Sequence, residues 1–346
     1  MHGEHGDAGV CADTSASTCG DCDGCCSAAP GGAGKSSLQI DERGGAPQRA
    51  PAGDASRADA SQLSLAAAIA GASAPSTANA VNETVNRQRR RLRVLVLFSG
   101  RQRLGSLPAY LLQLDADVET FELLDDAAEQ DLAVRAIQQR VLSRVAGGEF
   151  DAVFMAPPCA SFCFALRPIL RSAARPMGHD RVPRKWQSYL AKHNLLVEFA
   201  ADVCRAAELA GVEWMVENPA SRKRGMAFWA EMAHRPTLWD TPAFSALERE
   251  TRAVPVTAAQ CQFTSEYQKY TTFMMSHRMA RTGLQELGWA RCTCESHAKV
   301  AKGYDEFGES LSAPAADYPP PLCNALARVL MEGARLSRAR RESTPA

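Results

Sequence analysis

A single thiol, Cys159, stands at the end of an apolar run in Asp151-Ala-Val-Phe-Met-Ala-Pro-Pro-Cys-Ala-Ser-Phe-Cys163. Ala152 to Ala156 reads as a buried parallel strand. Each following proline fixes its own φ near about −65°, and Pro158 pushes Pro157 towards an extended shape. The strand therefore ends in a stiff elbow that presents Cys159 at the carboxyl edge of a sheet. In open α/β sheets that edge is where ligands bind. A thiolate held there is a nucleophile. Free cysteine is also among the most buried residue types. The two prolines before Cys159 and Ala-Ser after it argue for a turn instead. A carboxyl, Glu217, follows a second apolar strand in Val212-Glu-Trp-Met-Val216, with Asn218-Pro219 in the loop beyond. Burial would keep such a carboxyl protonated, able to give a proton to a reacting group.

Other segments must bring these two groups together. Val94-Leu-Val-Leu-Phe98 is a strand ended by Ser99-Gly100, and Gly105-Ser106 opens a helix over residues 107–114. A Gly turn lets a ligand approach the backbone, and a helix start favours an anionic group. Residues 118–122 form a strand ending in Glu122, with Asp125 just beyond. An acid there can accept hydrogen bonds from ribose hydroxyls. Asp131 lies near the next loop, within reach of an adenine amino group. Further amphipathic helices are expected over 132–145 and 194–210. Strands alternating with helices predict an α/β fold, a doubly wound, Rossmann-like sheet of parallel βαβ units.

The order of these pieces carries a resemblance. Phe98-Ser-Gly, Pro157-Pro-Cys159, Glu217-Asn-Pro219 and Gln260-Cys-Gln-Phe…Gln268-Lys-Tyr-Thr-Thr272 follow one another over residues 93–330. That series resembles the cytosine-5 methyltransferase family, most of all its compact phage and algal branch, which has Glu-Asn-Pro. Tyr318-Pro-Pro-Pro-Leu-Cys-Asn-Ala-Leu-Ala327 is similar to that branch's closing helix. The resemblance implies S-adenosylmethionine as cofactor, held by Phe98, Gly100, Gly105, Glu122, Asp125, Asp131 and Pro157. It implies Cys159 as the nucleophile that adds to carbon 6 of cytosine, and Glu217 as the acid at N3. No residue is assigned as the base that removes the C5 proton. The target base would be flipped out of the duplex or already single-stranded.

Nucleic acid is the implied partner, DNA before RNA. Arg167, Arg171, Arg175, Arg181, Arg184 and Lys185 are offset by one acid, Asp180, in residues 167–185. Clustered cations after the nucleophile would contact phosphates and make binding salt-dependent. Arg222-Lys-Arg224 would extend that patch. Ser161, Asn218, Lys269 and Thr271 are the further expected contacts. Family members place two arginines in the Gln-rich strand, whereas Lys269 is its only cation here. Members of the compact branch often have Gly at the Thr264 position and Arg where this chain has Gln268. Two other readings therefore stay open: a catalytically impaired methyltransferase-like module that binds nucleic acid, and an RNA cytosine-5 methyltransferase. A zinc nucleobase deaminase fails, because it needs Pro-Cys-x2-Cys with His-x-Glu shortly upstream. Here the spacing is Pro158-Cys159-x3-Cys163, and the one His-x-Glu is His2-Gly-Glu4.

The bulk properties bound the rest. The 346 residues carry no formal net charge and are 46% hydrophobic, so no overall basic field marks a nucleic-acid binder. The start lacks the charged and apolar regions of a signal peptide, and no apolar stretch is long enough to span a bilayer. The twelve scattered cysteines read as reduced thiols of an intracellular, soluble, monomeric protein, nuclear if eukaryotic. Residues 1–88 lack Phe, Trp and Tyr and read as a disordered tail with a short helix over 61–72. The methyltransferase domain is expected over 89–335, with a short recognition segment at 274–312 and a second disordered tail at 336–346. The metal is left open: the tail cluster Cys11, Cys19, Cys22, Cys25 and Cys26 could hold zinc but reads more plainly as thiols, since no second separated ligand pair follows, and Cys292-x-Cys294-x2-His297 could complete a zinc site with Cys261.

Overall fold

The computed structural model describes residues 91–123, 125–163, 166, 168–222, 234–299 and 314–343. The tail expected over 1–88 lies outside the described residues, as do Arg167, Lys223, Arg224 and residues 300–313.

The described chain is mixed α/β around a six-stranded sheet. Strands β1 (Arg93–Leu97), β2 (Asp117–Phe121), β3 (Ala152–Met155) and β4 (Glu213–Pro219) are joined through helices. Strands β5 (Val254–Ala259) and β6 (Tyr270–Met275) follow, and the spatial order is β2-β1-β3-β4-β6-β5. The first four strands run parallel, as their pattern predicts, but β6 runs antiparallel to both β4 and β5. The expected parallel units are therefore joined at one edge by an antiparallel pair. The ten residues between β5 and β6 form a hairpin-like return with no crossover helix, and parallel pairing needs a crossover.

Period-2 alternation divides the core in two. Leu95, Leu97, Val153, Met155, Trp214 and Val216 face one side, under α3 (Arg135–Ala146), α4 (Arg184–Leu209) and α5 (Pro242–Thr251). Val94, Val96, Ala152, Phe154 and Met215 face the other, under α1 (Leu107–Gln113), α6 (Ala280–Leu287) and α7 (Pro320–Ser343). A short helix, α2 (Ala127–Gln130), sits after β2, capped by Asp126. Both faces of the central strands are buried, which is why they read as unbroken apolar runs.

Several boundaries differ from the sequence expectation, among them the disordered tail expected over 336–346, of which residues 336–343 continue α7. Helix α4 begins at Arg184, ten residues before the expected start at 194, because Trp186, Tyr189, Leu190 and His193 continue its inward stripe. Tyr189 packs between Trp186 and His193, with ring centroids 5.4 and 4.3 Å away. The polar and aromatic character of that turn hides the period. Glu217-Asn218-Pro219 is the end of β4 and not a loop, since Phe273, Thr272 and Thr271 of β6 pair with it. The expected Gln-rich strand is divided. Gln260–Phe263 forms a 3-10 turn closed by Thr264 at φ 71°, and only Tyr270 onward is strand. Glycine adopts such a left-handed backbone more readily than threonine does. The expected 274–312 segment begins inside β6 and continues into α6.

Candidate active site

Register places the chemistry. Phe121, Leu97, Met155 and Val216 lie side by side across β2, β1, β3 and β4. The next residue on each strand, Glu122, Phe98, Ala156 and Glu217, therefore forms the carboxyl rim of the parallel strands. Ligand sites of open α/β sheets lie outside such a rim. Two cavities open along it and share Phe98, Gly100, Ala156 and Pro158 as a common wall.

The first cavity has a volume of about 400 Å³ and is lined by Glu122, Leu123, Asp131, Leu132, Tyr189 and Lys192, among others. Its size falls within the range of about 300–1,000 Å³ typical of small-molecule sites. The Glu122 carboxylate accepts a 2.8 Å hydrogen bond from the Gly100 amide. The Asp131 carboxylate caps Ala133 N–H and lies 3.4 Å from Lys192 Nζ. Phe98 has φ 57° and Gly100 φ 70°. A left-handed phenylalanine costs of order 1–3 kcal/mol, and such strain clusters at ligand sites. Three expected cofactor residues stand outside this cavity, Pro157 among them, which lines only the second. Asp125 is exposed beside α2, and Gly105 packs against Pro320, where a Cβ would come within 3.1 Å.

The second cavity, about 230 Å³, is lined by Cys159, Glu217, Pro157, Arg103, Lys269 and Tyr318, among others. Cys159 is exposed at the start of a 3-10 turn, Ala160–Phe162. Glu217 is buried, and that burial pushes its carboxyl above the ordinary 4.5, opposed by the nearby Lys269 charge and by a hydrogen bond from the Tyr318 hydroxyl. The elbow is clamped to its surroundings. Asn218 Nδ2 donates to the Pro157 carbonyl at 2.9 Å, so the residue after the acid holds the residues before the thiol. From α4, the His193 ring donates to the Pro158 carbonyl. Burial, then the Arg171 charge, push His193 down to about 4, so the ring stays neutral near pH 7.

Several expected phosphate contacts face inward. Arg171 is only 2% exposed. Its guanidinium donates to Ser161 Oγ at 3.0 Å and to the Pro176 carbonyl at 2.6 Å, and lies 4.2 Å over the Phe162 ring. Arg222 is buried too, donating to the carbonyls of Phe162 at 3.1 Å and Pro236 at 3.0 Å. Both arginines hold the loop that carries Cys159, which corrects the expectation that they meet phosphate. Ser161, Asn218 and Thr271 are buried, and Thr271 Oγ1 accepts from Gln260 Nε2 at 2.8 Å. Arg175, Arg181, Arg184 and Lys185 are exposed, and Arg175 is paired with Asp180. Substituting Arg171 by Met is therefore expected to lower unfolding stability by about 1–3 kcal/mol, the usual cost of orphaning buried hydrogen-bond partners. Urea melts check this.

Lys192 and His193 join the site without having been singled out by motif, and Tyr318 joins it from a segment read only as a closing helix. Tyr318 is adjacent to the Pro319-Pro320-Pro321 run that launches α7, the one local sign that its position is fixed. At the turn after β5, Cys261, Cys292, Cys294 and His297 also converge, their ligand atoms all within 4.8 Å of one another. The N-terminal cysteine cluster lies outside the described residues. No helix among the described residues is long and apolar enough to cross a membrane. Comparison with protein-family models and with curated proteins finds no match for the chain.

Proposed function

We propose that the chain is an S-adenosylmethionine-dependent methyltransferase with a Rossmann-like sheet that methylates carbon 5 of cytosine in DNA. One observation carries this reading: Cys159 and Glu217 line one cavity that shares a wall with a second, acid-bearing cavity at the same sheet rim. The donor set of the larger cavity fits a nucleoside. Glu122 offers carboxylate oxygen to ribose hydroxyls, Leu123 and Leu132 offer apolar contact to a purine, and Asp131 lies in reach of its amino group.

Carbon 5 of cytosine is a poor nucleophile until something adds at carbon 6. The Cys159 thiolate forms that S–C6 bond, the displaced electron pair moves towards N3, and the neutral Glu217 carboxyl gives its proton there. When bound, S-adenosylmethionine supplies the methyl group to C5. A solvent base takes the C5 proton as the Cys159 thiolate is expelled, which restores the aromatic ring, and the N3 proton returns to Glu217. The cavity admits a lone pyrimidine, so the base must leave the stack, and Arg184 and Lys185 at the exposed start of α4 would contact the flanking phosphates.

The deciding experiment supplies methyl-labelled S-adenosylmethionine with duplex DNA, single-stranded DNA or RNA, and identifies the labelled nucleoside. 5-Methyldeoxycytidine is expected. Label in RNA alone would make this an RNA enzyme, and none in any substrate would leave a binding module. Glu122→Ala should weaken S-adenosylmethionine binding by about 10- to 100-fold, as expected for losing hydrogen bonds to a charged group. Calorimetric titration checks this, and an unchanged Kd would remove Glu122 from the cofactor site.

A further inference from the structure

Residues 291–299 contain no buried side chain and no helix or strand beyond one isolated bridge, from Lys299 to Tyr267. Apolar burial therefore does not hold this segment, yet its thiols and imidazole converge on one point. Cys292 Sγ lies 3.4 Å from His297 Nε2, and Cys294 and Cys261 complete a set whose ligand atoms all fall within 4.8 Å. We infer that Cys261, Cys292, Cys294 and His297 form a structural zinc site that staples this segment to the turn between β5 and β6. The inference is independent of methyl transfer.

Tetrahedral zinc, with bonds of about 2.3 Å to sulfur and about 2.0 Å to nitrogen, sets ligand-to-ligand edges of about 3.6–3.8 Å. The Cys292–His297 edge is already that short, and an ion would draw the widest pair in by about 1 Å. Three soft thiolates and one imidazole select zinc over hard cations, and four protein ligands leave no open position for catalysis. Outer contacts suit an anionic sulfur cluster. Gln262 Nε2 points at Cys294 Sγ from 3.9 Å and Gln268 Nε2 at Cys292 Sγ from 4.0 Å, so amide donors offset thiolate charge. Gln268 thus faces the cluster. The next residue, Lys269, donates to the Ala315 carbonyl at 3.0 Å and acts on the Glu217 carboxyl. A staple on this turn would fix Lys269 beside the acid.

Full-length protein, purified without added metal and under reducing conditions, is tested by elemental mass spectrometry beside three variants: Cys292→Ser, His297→Ala, and one with Cys11, Cys19, Cys22, Cys25 and Cys26 all changed to Ser. Wild type and the tail variant should each retain one zinc that Cys292→Ser and His297→Ala lose. Exchange with cobalt(II) in the folded wild type provides a readout that does not depend on variants folding. Intense visible d–d bands with thiolate charge transfer mark a tetrahedral sulfur-rich site. Zinc lost only on changing the tail cysteines, or no such cobalt spectrum, or a Cys261–Cys292 disulfide in place of metal, would overturn the assignment. Chelation should also lower the melting temperature of wild type and leave that of Cys292→Ser unmoved.

Discussion

Cys159→Ser should reduce methyl transfer by on the order of 10⁴-fold or more, the scale seen when a covalent nucleophile is removed. Carbon 5 stays unreactive unless carbon 6 is first saturated, and a serine hydroxyl has neither the acidity nor the softness to add there. The most direct readout uses DNA containing 5-fluorocytosine. Fluorine at C5 cannot leave as a proton does, so the S–C6 bond persists, and wild type should yield an adduct that survives denaturation. The serine variant should yield none. Because Cys159 is exposed on a 3-10 turn, the substitution should shift stability by no more than about 0.5 kcal/mol, so lost activity would not reflect unfolding. Adduct formation by Cys159→Ser, or trapping that maps to Cys163, would sink the assignment of the nucleophile.

Glu217→Gln should cost on the order of 10²–10⁴-fold in rate, the usual contribution of a positioned general acid. The amide keeps the shape of the carboxyl but has no proton to give. The pH dependence gives the sign. Burial raises the Glu217 carboxyl above 4.5, and in the proposed reaction its neutral form is the one that acts. Activity that depends on it is therefore present below the raised value and declines as pH rises through it. Stability runs the same way. The contribution from keeping this group neutral is complete below 4.5 and is lost as pH rises through the folded-state value. Glutamine is neutral throughout, so the variant should become more stable relative to wild type as pH rises through that value. Tyr318→Phe tests the same linkage from the other side. The tyrosine hydroxyl favours the ionised carboxylate, so its removal should push the Glu217 value further up and extend activity to higher pH. A Glu217→Gln enzyme with an unchanged rate and pH profile would remove the acid role.

Much of the sheet, and the placing of Cys159 and Glu217 at its carboxyl edge, was legible because those signals are local. Val94 to Leu97 and Ala152 to Met155 are short apolar runs between turn residues, and a strand buried on both faces leaves that trace. The Pro-Pro elbow likewise fixes the exit of Cys159 through φ alone. The direction of β6 leaves no such trace, so the antiparallel β4–β6 pairing, and with it the place of Glu217 inside a strand, emerged only from the fold. The arginines show the same limit. Arg171 and Arg184 look alike in a basic run, but the Phe162 ring and the Ser161 hydroxyl draw one inward while the first turn of α4 leaves the other in solvent.

The cysteines make the division plainest. Composition and spacing alone identified which side chains have the right chemistry: a thiol on an elbow, an acid after a strand, three thiols and an imidazole divided between two segments. Whether such groups meet depends on contacts between residues far apart in the chain, which chain order does not encode directly. Register across β1, β3 and β4 aligned Glu217 with the rim that Cys159 follows, and the return from β5 to β6 carried Cys261 to Cys292. Pairing energy and core packing are summed over the whole sheet, so only the folded chain decides which of its reactive atoms become neighbours.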